Sequence, residues 1–333
     1  MFAVLFVLLS FQVCYADYDT LFAMTDDQIY ISKDSGNSWS GIYVESATTV
    51  RYNYMCFDSA NQVAYAGTNT CLIKSIDGGR KWIKILPSGT SEPVNRVAVS
   101  NDASSSLYAI TLDGLYMSSD YGKSWASLSL PTRQGYFLIP FKKENRIYLG
   151  GGQTVYISND NGKSWKNISE GLPEDMSILD IAVNPTNTLQ VFVATSEGLY
   201  YSGNGGKHWK KRSISPKDWI QTIRISFSNI ANPILYALDN DVKESGISYL
   251  RKSSDGGNNW AVIGSKENIP LFAIASNNPS IVYYTYTSSM ALSGINSNLS
   301  VVMKSTNGGK DWKALESVMP GYTRTKLLLL RPW

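Results

Sequence analysis

The stretch Ser158-Asn-Asp160-Asn-Gly162-Lys-Ser-Trp165 decides the fold of this chain. Its pattern, Ser-x-Asp-x-Gly-x-x-Trp, occurs seven times at a nearly regular interval that lengthens between the last repeats, and Asn replaces Asp in two copies. A repeat of this length predicts a propeller or a solenoid, whose units bury their apolar faces only against one another. The third position holds Asp34, Asp77, Asp120, Asp160, Asn204, Asp255 and Asn307, and the last position holds Trp39, Trp82, Trp125, Trp165, Trp209, Trp260 and Trp312.

The residues around each motif predict a four-stranded antiparallel unit. A short alternating strand precedes the motif and another follows it, which indicates a β-hairpin. In the turn, the Asp or Asn oxygen accepts backbone N–H groups and Gly supplies positive φ. The indole covers the apolar side of the hairpin, and its N–H is free to bind a carbonyl. Two strands lie upstream, as at 94–100 and 106–111, and four such strands are typical of a propeller blade.

The two ends of the chain predict how the ring is completed. The first unit begins at 20–25 with its second strand, and an unmatched strand, 325–330, follows the seventh motif. Placing that strand as the missing innermost strand of the first blade gives seven complete blades. The predicted fold is therefore an all-β, seven-bladed β-propeller over residues 17–333, closed by the C-terminal strand in the first blade.

The N-terminus predicts export. Residues 1–16 carry no charged side chain, 2–9 are apolar, and Cys14 and Ala16 place small residues before a cut at Asp17. This pattern is typical of a signal peptide and is too short to cross a bilayer; a buried apolar first strand is the alternative. No other segment is long enough to be a transmembrane helix. We expect a secreted, periplasmic or lumenal monomer.

Composition excludes several kinds of chemistry. The net charge of +3 and the absence of a noticeably Lys/Arg-dense run do not suggest nucleic acid. The single histidine, His208, leaves no base for a Ser-His-Asp or Cys-His arrangement and too few ligands for zinc or copper. No metal or cofactor is therefore expected. Cys56 and Cys71 fall on first and third strands about 9–10 Å apart, beyond disulfide reach, which predicts two free, buried thiols.

Candidate binding residues fall on the face that carries the loops from second to third strands and from blade to blade. Functional residues often lie on loops held by a rigid scaffold, and the extra residues of the last two blades, 239–247 and 287–298, fall on this face. Arginines at the starts of innermost strands are predicted to surround the channel mouth and to favour carboxylates or phosphates. They are Arg51, Arg96, Arg133, Arg224 and Arg324. Neutralisation by Asp180 and Asp218, or solvation, is the alternative.

Trp219 is predicted at a blade-to-blade junction of the same face, as a platform for a partner or sugar, or as packing between blades. The seven motifs resemble the Asp-box, or bacterial neuraminidase repeat. A ring of seven behind a signal peptide is similar to the photosystem II stability/assembly factor-like group and, more distantly, to sialidases. The resemblance implies structural box residues, and a non-catalytic propeller with an arginine-rich patch that binds protein partners in the lumen or periplasm.

Three functions remain open from the sequence. A protein-binding propeller without catalysis is the first hypothesis, and a sialidase-like glycoside hydrolase and a glycan-binding lectin are the alternatives. The Arg-Ile-Pro signature of sialidases is absent, since Leu138-Ile-Pro140 lacks the arginine. Two carboxyl groups about 5–10 Å apart beside the arginines would favour hydrolysis, and arginines without such a pair would favour binding.

Overall fold

The structure is a computed structural model of the whole chain. It describes residues 20–24, 28–42, 50–58, 61–85, 93–100, 106–132, 137–141, 144–214, 226–227, 234–241, 247–267, 269, 271–275, 278–292, 295–315 and 327–330. Seven four-stranded antiparallel sheets form the blades of a β-propeller, which confirms the predicted fold class. The predicted signal peptide lies outside the described residues. Among those residues, no helix is long and apolar enough to span a bilayer.

Within each blade the strands follow one another from the propeller axis outward. The second blade contains β4 (Tyr52–Asp58), β5 (Val63–Thr68), β6 (Leu72–Ser75) and β7 (Ile83–Lys84). The third contains β8 (Val94–Val99), β9 (Leu107–Thr111), β10 (Leu115–Ser118) and β11 (Ala126–Leu128). The fourth contains β12 (Phe137–Phe141), β13 (Arg146–Gly151), β14 (Thr154–Ser158) and β15 (Lys166–Asn167).

The remaining blades repeat this order. The fifth contains β16 (Ile178–Val183), β17 (Val191–Thr195), β18 (Gly198–Ser202) and β19 (Lys210–Arg212). The sixth contains β20 (Ser226–Phe227), β21 (Leu235–Asp241), β22 (Ile247–Ser253) and β23 (Ala261–Glu267). The seventh contains β24 (Leu271–Ala275), β25 (Asn278–Leu292), β26 (Ile295–Ser305) and β27 (Lys313–Ala314).

The first blade combines both ends of the chain. Its strands are β1 (Leu21–Met24), β2 (Ile29–Ser32), β3 (Ser40–Ile42) and β28 (Leu327–Leu330). Strand β28 pairs antiparallel with β1, with Leu330 opposite Leu21 and Leu327 opposite Met24. This is the neighbour that the sequence analysis assigned to the C-terminal strand. That the pairing holds the ring together remains a prediction.

One aromatic side chain in the second strand of every blade fills the space between blades. Each lies opposite the residue before the box serine and is at most 2% exposed. The seven are Phe22, Tyr65, Tyr108, Tyr148, Phe192, Tyr236 and Tyr283. The Tyr148 hydroxyl donates to the Thr188 carbonyl of the next blade at 2.8 Å, and burial raises the pKa of Tyr148 to about 12. The core therefore lies between blades.

The turns of the Ser-x-Asp-x-Gly-x-x-Trp motifs, called boxes here, form local hydrogen-bonded loops. In the fourth box, the Gly162 amide donates to Ser158 Oγ at 2.8 Å, and Ser158 Oγ donates to Asp160 Oδ1 at 2.7 Å. Gly162 has φ of +86°, a conformation that a side chain rarely adopts. The Ser164 amide also donates to Asp160 Oδ1, at 2.8 Å. The fifth box makes the same serine, glycine and amide contacts with Asn204 in place of Asp. A carboxylate is therefore not required for the turn.

The box tryptophans stabilise the joints between blades as well as their own hairpins. The Trp209 indole donates to the Ile168 carbonyl of the preceding blade at 2.7 Å, and three other indoles reach across in the same way. The indoles of Trp82 and Trp260 instead bind a glycine carbonyl of their own turns at 3.1 Å. From the sequence, the indole was expected to cover its own hairpin and to donate to a carbonyl. The carbonyl acceptor was therefore predicted, but its position in the preceding blade was not.

The box carboxylates predict an acid-dependent loss of stability. Hydrogen bonds from Ser164 and Ser158 lower the pKa of Asp160 to about 2, and bonds from Asn259 and Ser253 do the same for Asp255. Because the unfolded-state value is about 3.9, this stabilisation is complete above about pH 4 and is lost as the pH falls through about 2. We expect the urea midpoint of Asp160→Asn/Asp255→Asn to fall less than that of the wild type between pH 5 and pH 2.5. Parallel midpoint curves for the two proteins would contradict this origin.

Cys56 lies in β4 and Cys71 directly precedes β6, and both are free and buried. Burial raises the pKa of the Cys56 thiol well above its ordinary value. The predicted pair of unbridged thiols is confirmed.

Candidate functional site

Blades two to five each contribute one innermost-strand residue at a shared register position. Each of these residues pairs with a residue of the second strand. That second-strand residue pairs in turn with the third-strand residue that lies three positions before the box serine. We name these four residues the arginine level: Tyr54, Arg96, Phe137 and Asp180. Because innermost strands surround the propeller axis, the four side chains belong to one layer of the channel wall.

Three of these positions directly follow a β-bulge. The register shifts between Tyr52 and Tyr54 in β4, and the corresponding shifts precede Arg96 in β8 and Asp180 in β16. A bulge adds one unpaired residue and turns the side chains that follow it. The bulged residue of β4, Asn53, donates its side-chain amide to the Val94 carbonyl of the next blade at 3.1 Å. The bulges thus connect the site to the joints between blades.

Arg96 lies between two aromatic rings within the wall. Its Cζ is 4.1 Å from the centroid of Tyr54 and 5.5 Å from that of Phe137, and the residue is 5% exposed. Burial lowers the pKa of Arg96, while Tyr54 and the charge of Asp180 act in the opposite direction. Among the described residues, Nε and Nη1 of this guanidinium have no hydrogen-bond acceptor. A buried cation with unused donors is therefore the chemical centre of the level.

Arg51 occupies an exposed position at the start of the same wall. Its amide donates to Asn69 Oδ1 at 2.8 Å, and the Asn69 amide donates to the Arg51 carbonyl at 2.8 Å. Asn69 belongs to the loop between β5 and β6, so this loop lies beside the entry to β4. In the fifth blade the Ser196 amide bonds the Ser177 carbonyl at 3.0 Å in the equivalent place. We name the side of the propeller that carries these contacts the loop face.

The other predicted site residues are not placed by the structure. They are Arg133, Arg224, Arg324, Trp219 and Asp218, and all lie outside the described residues. Of the five predicted arginines, the structure therefore locates Arg51 at the surface and Arg96 inside the wall.

The extra residues of the last two blades form extended strands. Pairing between β21 and β22 continues to Asp241 and Ile247, and pairing between β25 and β26 continues to Leu292 and Ile295. Strand β24 pairs with β25 only as far as Thr285, and β27 pairs with β26 only at Met303 and Lys304. In the described part of the chain, strand pairing therefore joins 286–292 and 295–301 only to each other. We name these two segments the hairpin arm.

A second buried arginine forms an ion pair with an aspartate across the second and third strands of the sixth blade. Arg251 Nε donates to Asp239 Oδ2 at 2.7 Å, and both side chains are at most 10% exposed. Asp239 thereby forms part of an ion pair that joins β21 to β22. Within the described ranges, no group of three His, Cys, Asp or Glu side chains is arranged to hold a metal ion.

A basic run in the fifth blade was not predicted from the sequence. Lys207 follows the box glycine, and Lys210, Lys211 and Arg212 form the outermost strand, β19. All three lysines are exposed. The detectable signal is that the chain contains no acidic residue between Glu197 and Asp218.

Comparison with known families identifies the family of this chain. Residues 153–326, more than half of its length, match the family model described as Sortilin-Vps10 (sortilin, neurotensin receptor 3). The chain belongs to the Sortilin-Vps10 family. A curated relative of this Sortilin-Vps10 chain is a xyloglucanase of Hypocrea jecorina (strain QM6a), 27% identical over 198 residues, 60% of this chain and 23% of the relative. The chain thus spans about a quarter of that relative's length.

Solved structures share the propeller of this Sortilin-Vps10 protein. YCF48 bound to D1 peptide has a TM-score of 0.61 at 16% identity, over 84% of this chain and 90% of that chain. YCF48 from Cyanidioschyzon merolae has a TM-score of 0.57 at 16% identity, over 85% and 88%. The GH74 xyloglucanase from Xanthomonas campestris has a TM-score of 0.57 at 16% identity, over 92% and 60%. At this identity the three structures support the fold alone.

Proposed function

We propose that this chain is an exported, non-catalytic propeller that binds a protein partner through the loop face. The observation that carries the proposal is the composition of the arginine level. The rings of Tyr54 and Phe137 lie against Arg96, and one carboxylate of the level, Asp180, acts on it through its charge. Glycoside hydrolysis by either common route requires a pair of carboxyl groups flanking the bond. The described part of this level supplies a cation and aromatic surfaces, which suit binding.

Arg96 is the proposed anchor for a segment that enters the channel. Its Nε and Nη1 donors lack acceptors among the described residues, and burying unsatisfied charged donors is costly. A carbonyl or carboxylate oxygen of a bound segment is a suitable acceptor for a guanidinium. Arg51, exposed on the loop face, is suited to meet the partner before the segment reaches this depth, since exposed charges steer association.

The hairpin arm offers a second means of holding an extended segment. Its backbone groups on the outer edges are not used by β24 or β27. From Ser280 to Met303 the chain contains neither a charged residue nor a proline, the residue types that usually protect strand edges. Addition of a partner strand to such an edge is a common mode of peptide recognition.

The length of the chain agrees better with a YCF48 propeller than with a whole xyloglucanase. The match to YCF48 bound to D1 peptide covers 90% of that chain, whereas the match to the curated xyloglucanase covers 23% of the enzyme. The propeller that was solved with a peptide therefore matches this chain over most of the length of both proteins.

Paired arginine variants on opposite faces of the second blade test the proposal. Arg51→Glu reverses a charge on the loop face, and Arg80→Glu makes the same change at an exposed position in the box turn. Affinity capture from the exported fraction of the source cells, quantified by mass spectrometry, measures partner recovery. We expect Arg51→Glu to reduce recovery of the specific partner at least tenfold, because like charges across an interface cost several kcal/mol and about 1.4 kcal/mol already changes affinity tenfold. Equal recovery with both variants, at matched thermal stability, would contradict the loop face as the binding surface.

Polysaccharide hydrolysis is the second candidate function, favoured by the 27% identity to a xyloglucanase. Xyloglucan oligosaccharides, aryl-glucosides and aryl-sialosides, followed by product release, provide the assay. The proposal requires no turnover above buffer. Turnover that disappears in Asp180→Asn, with the fold preserved, would replace it by a hydrolase. Binding without turnover to the same sugars would instead favour a lectin.

A further inference from the structure

The outer rim of the fourth and fifth blades carries a concentration of cations remote from the arginine level. Strand β19 consists of three basic residues, and β15 begins with one. We name this group the basic strip: Lys163, Lys166, Lys207, Lys210, Lys211 and Arg212. Five of its six members are exposed, and Arg212 is half-buried.

Acidic residues are scarce in the stretch of sequence that carries β19. The fifth box has Asn204 where five other boxes have Asp, so its turn carries no carboxylate. Between Glu197 and Asp218 the chain has five basic residues and no acidic one. The ion pairs Arg146–Glu144 and Arg251–Asp239 lie elsewhere. Residues 198–217, with five basic and no acidic side chains, thus carry a formal charge of +5, whereas the whole chain carries only +3.

Inter-blade contacts hold the two halves of the strip together. The Trp209 indole donates to the Ile168 carbonyl at 2.7 Å. Trp209 directly precedes Lys210, and Ile168 lies two residues after Lys166. Arg212 is held by the sixth blade, because its Nη1 donates to Asn258 Oδ1 at 2.6 Å while its Cζ lies 4.9 Å from the Tyr201 ring. The backbone that carries the cations is therefore fixed before any ligand binds.

We propose that the basic strip binds a linear polysaccharide bearing sulfate or carboxylate groups. The strip crosses from β15 of the fourth blade to β19 of the fifth, and separate cations along such a surface suit a polymer. Lysine acts as a compact point charge for separate anionic groups, whereas the paired donors of Arg212 are partly used by Asn258. The site lies on the rim, so it is independent of partner binding at the loop face.

Other anionic surfaces fit the strip less well. Association with a membrane surface normally combines basic residues with exposed apolar side chains. The two tryptophans next to the strip, Trp165 and Trp209, are half-buried and donate to the Ser129 and Ile168 carbonyls. Nucleic-acid recognition usually places a helix, ribbon or stacking platform against the bases. The strip offers only cations on an outermost strand.

Heparin chromatography and competition test the proposal with defined probes. The wild type is expected to bind immobilised heparin at 0.15 M NaCl, and Lys210→Ala/Lys211→Ala to elute at clearly lower salt. Each lost cation contact should reduce the slope of log affinity against log salt by about one. Lys81→Ala/Lys84→Ala is the matched control, because it removes two exposed lysines beside the second box. Asn204→Asp, which restores the carboxylate of the other boxes, should also weaken binding.

The outcomes separate the proposal from its competitors. Competition by free heparin indicates a sulfated ligand and competition by polygalacturonate a carboxylated one, and either supports the site. Failure of the wild type to bind, or equal elution shifts in the two lysine pairs, would overturn it. Stronger competition by polyglutamate or duplex DNA, at equal charge concentration, would also overturn it in favour of an acidic protein or a nucleic acid. Thermal melts confirm that the variants are folded.

Discussion

A chain that ends at Lys326 is expected to lose most of its resistance to urea, because strand β28 is removed. This strand makes four residue pairs with β1, and each backbone hydrogen bond contributes about 0.5–1.5 kcal/mol. Leu21, Phe22 and Met24 of β1 are at most 1% exposed, and uncovering such side chains costs about 1.5–3 kcal/mol each when complete. The sum is several kcal/mol, a large part of a typical unfolding free energy of about 5–15 kcal/mol.

Two further variants test whether the loss of stability is specific to the removal of β28. A chain ending at Leu330 keeps β28 and is expected to match the wild type in urea unfolding followed by circular dichroism. Ala23→Cys/Leu328→Cys joins two directly paired positions, where Cα atoms about 4.5–5.5 Å apart permit a disulfide. Its oxidised form should raise the urea midpoint above that of its reduced form. A fully stable chain ending at Lys326 would show that β28 does not hold the ring together.

Replacing Arg96 by leucine is expected to destabilise the protein by about 3–5 kcal/mol, the usual cost of removing one of two interacting buried charges. Asp180 is fully buried, and its charge is among the groups that act on Arg96. The substitution also removes the cation held over the Tyr54 ring at 4.1 Å, an interaction worth about 0.5–2 kcal/mol. Urea unfolding monitored by tryptophan fluorescence measures the change.

A double substitution and a surface control distinguish charge from packing. Arg96→Leu/Asp180→Leu removes both charges and is expected to be more stable than Arg96→Leu alone, because the buried carboxylate that the charge of Arg96 stabilises is removed with it. Arg146→Leu breaks the more exposed pair with Glu144, whose side chains are 18% and 42% exposed, and should cost about 0–1 kcal/mol from the lost ion pair. A double variant less stable than the single one would mean that the level is held by the shape of these side chains rather than by charge balance.

The repeat was sufficient to predict the blades. The seven copies of the motif predicted the number of blades, and the unmatched residues at 325–330 identified the strand that pairs with β1. The box chemistry was also predictable, since Ser158, Asp160 and Gly162 form the turn that their residue types indicate. These predictions succeeded because they depend on local periodicity and turn geometry, which neighbouring residues specify.

The site was only partly predictable. The sequence placed Arg51 and Arg96 at similar positions, yet the structure has one exposed and the other 5% exposed. The bulges before Tyr54, Arg96 and Asp180 carry no sequence pattern that we recognised. Nor did the sequence show that 286–292 and 295–301 form a paired arm instead of a loop.

The amino-acid sequence by itself determined the kind of blade, its number and its strand order. Each depends on residues a few positions apart. Only the tertiary structure decided that Tyr54, Arg96, Phe137 and Asp180 share one level of the channel wall, and that β15 and β19 carry their lysines on one rim. The physical reason is that such proximity depends on strand register and blade packing, which join residues more than forty positions apart and are set by burial of the aromatic side chains between blades.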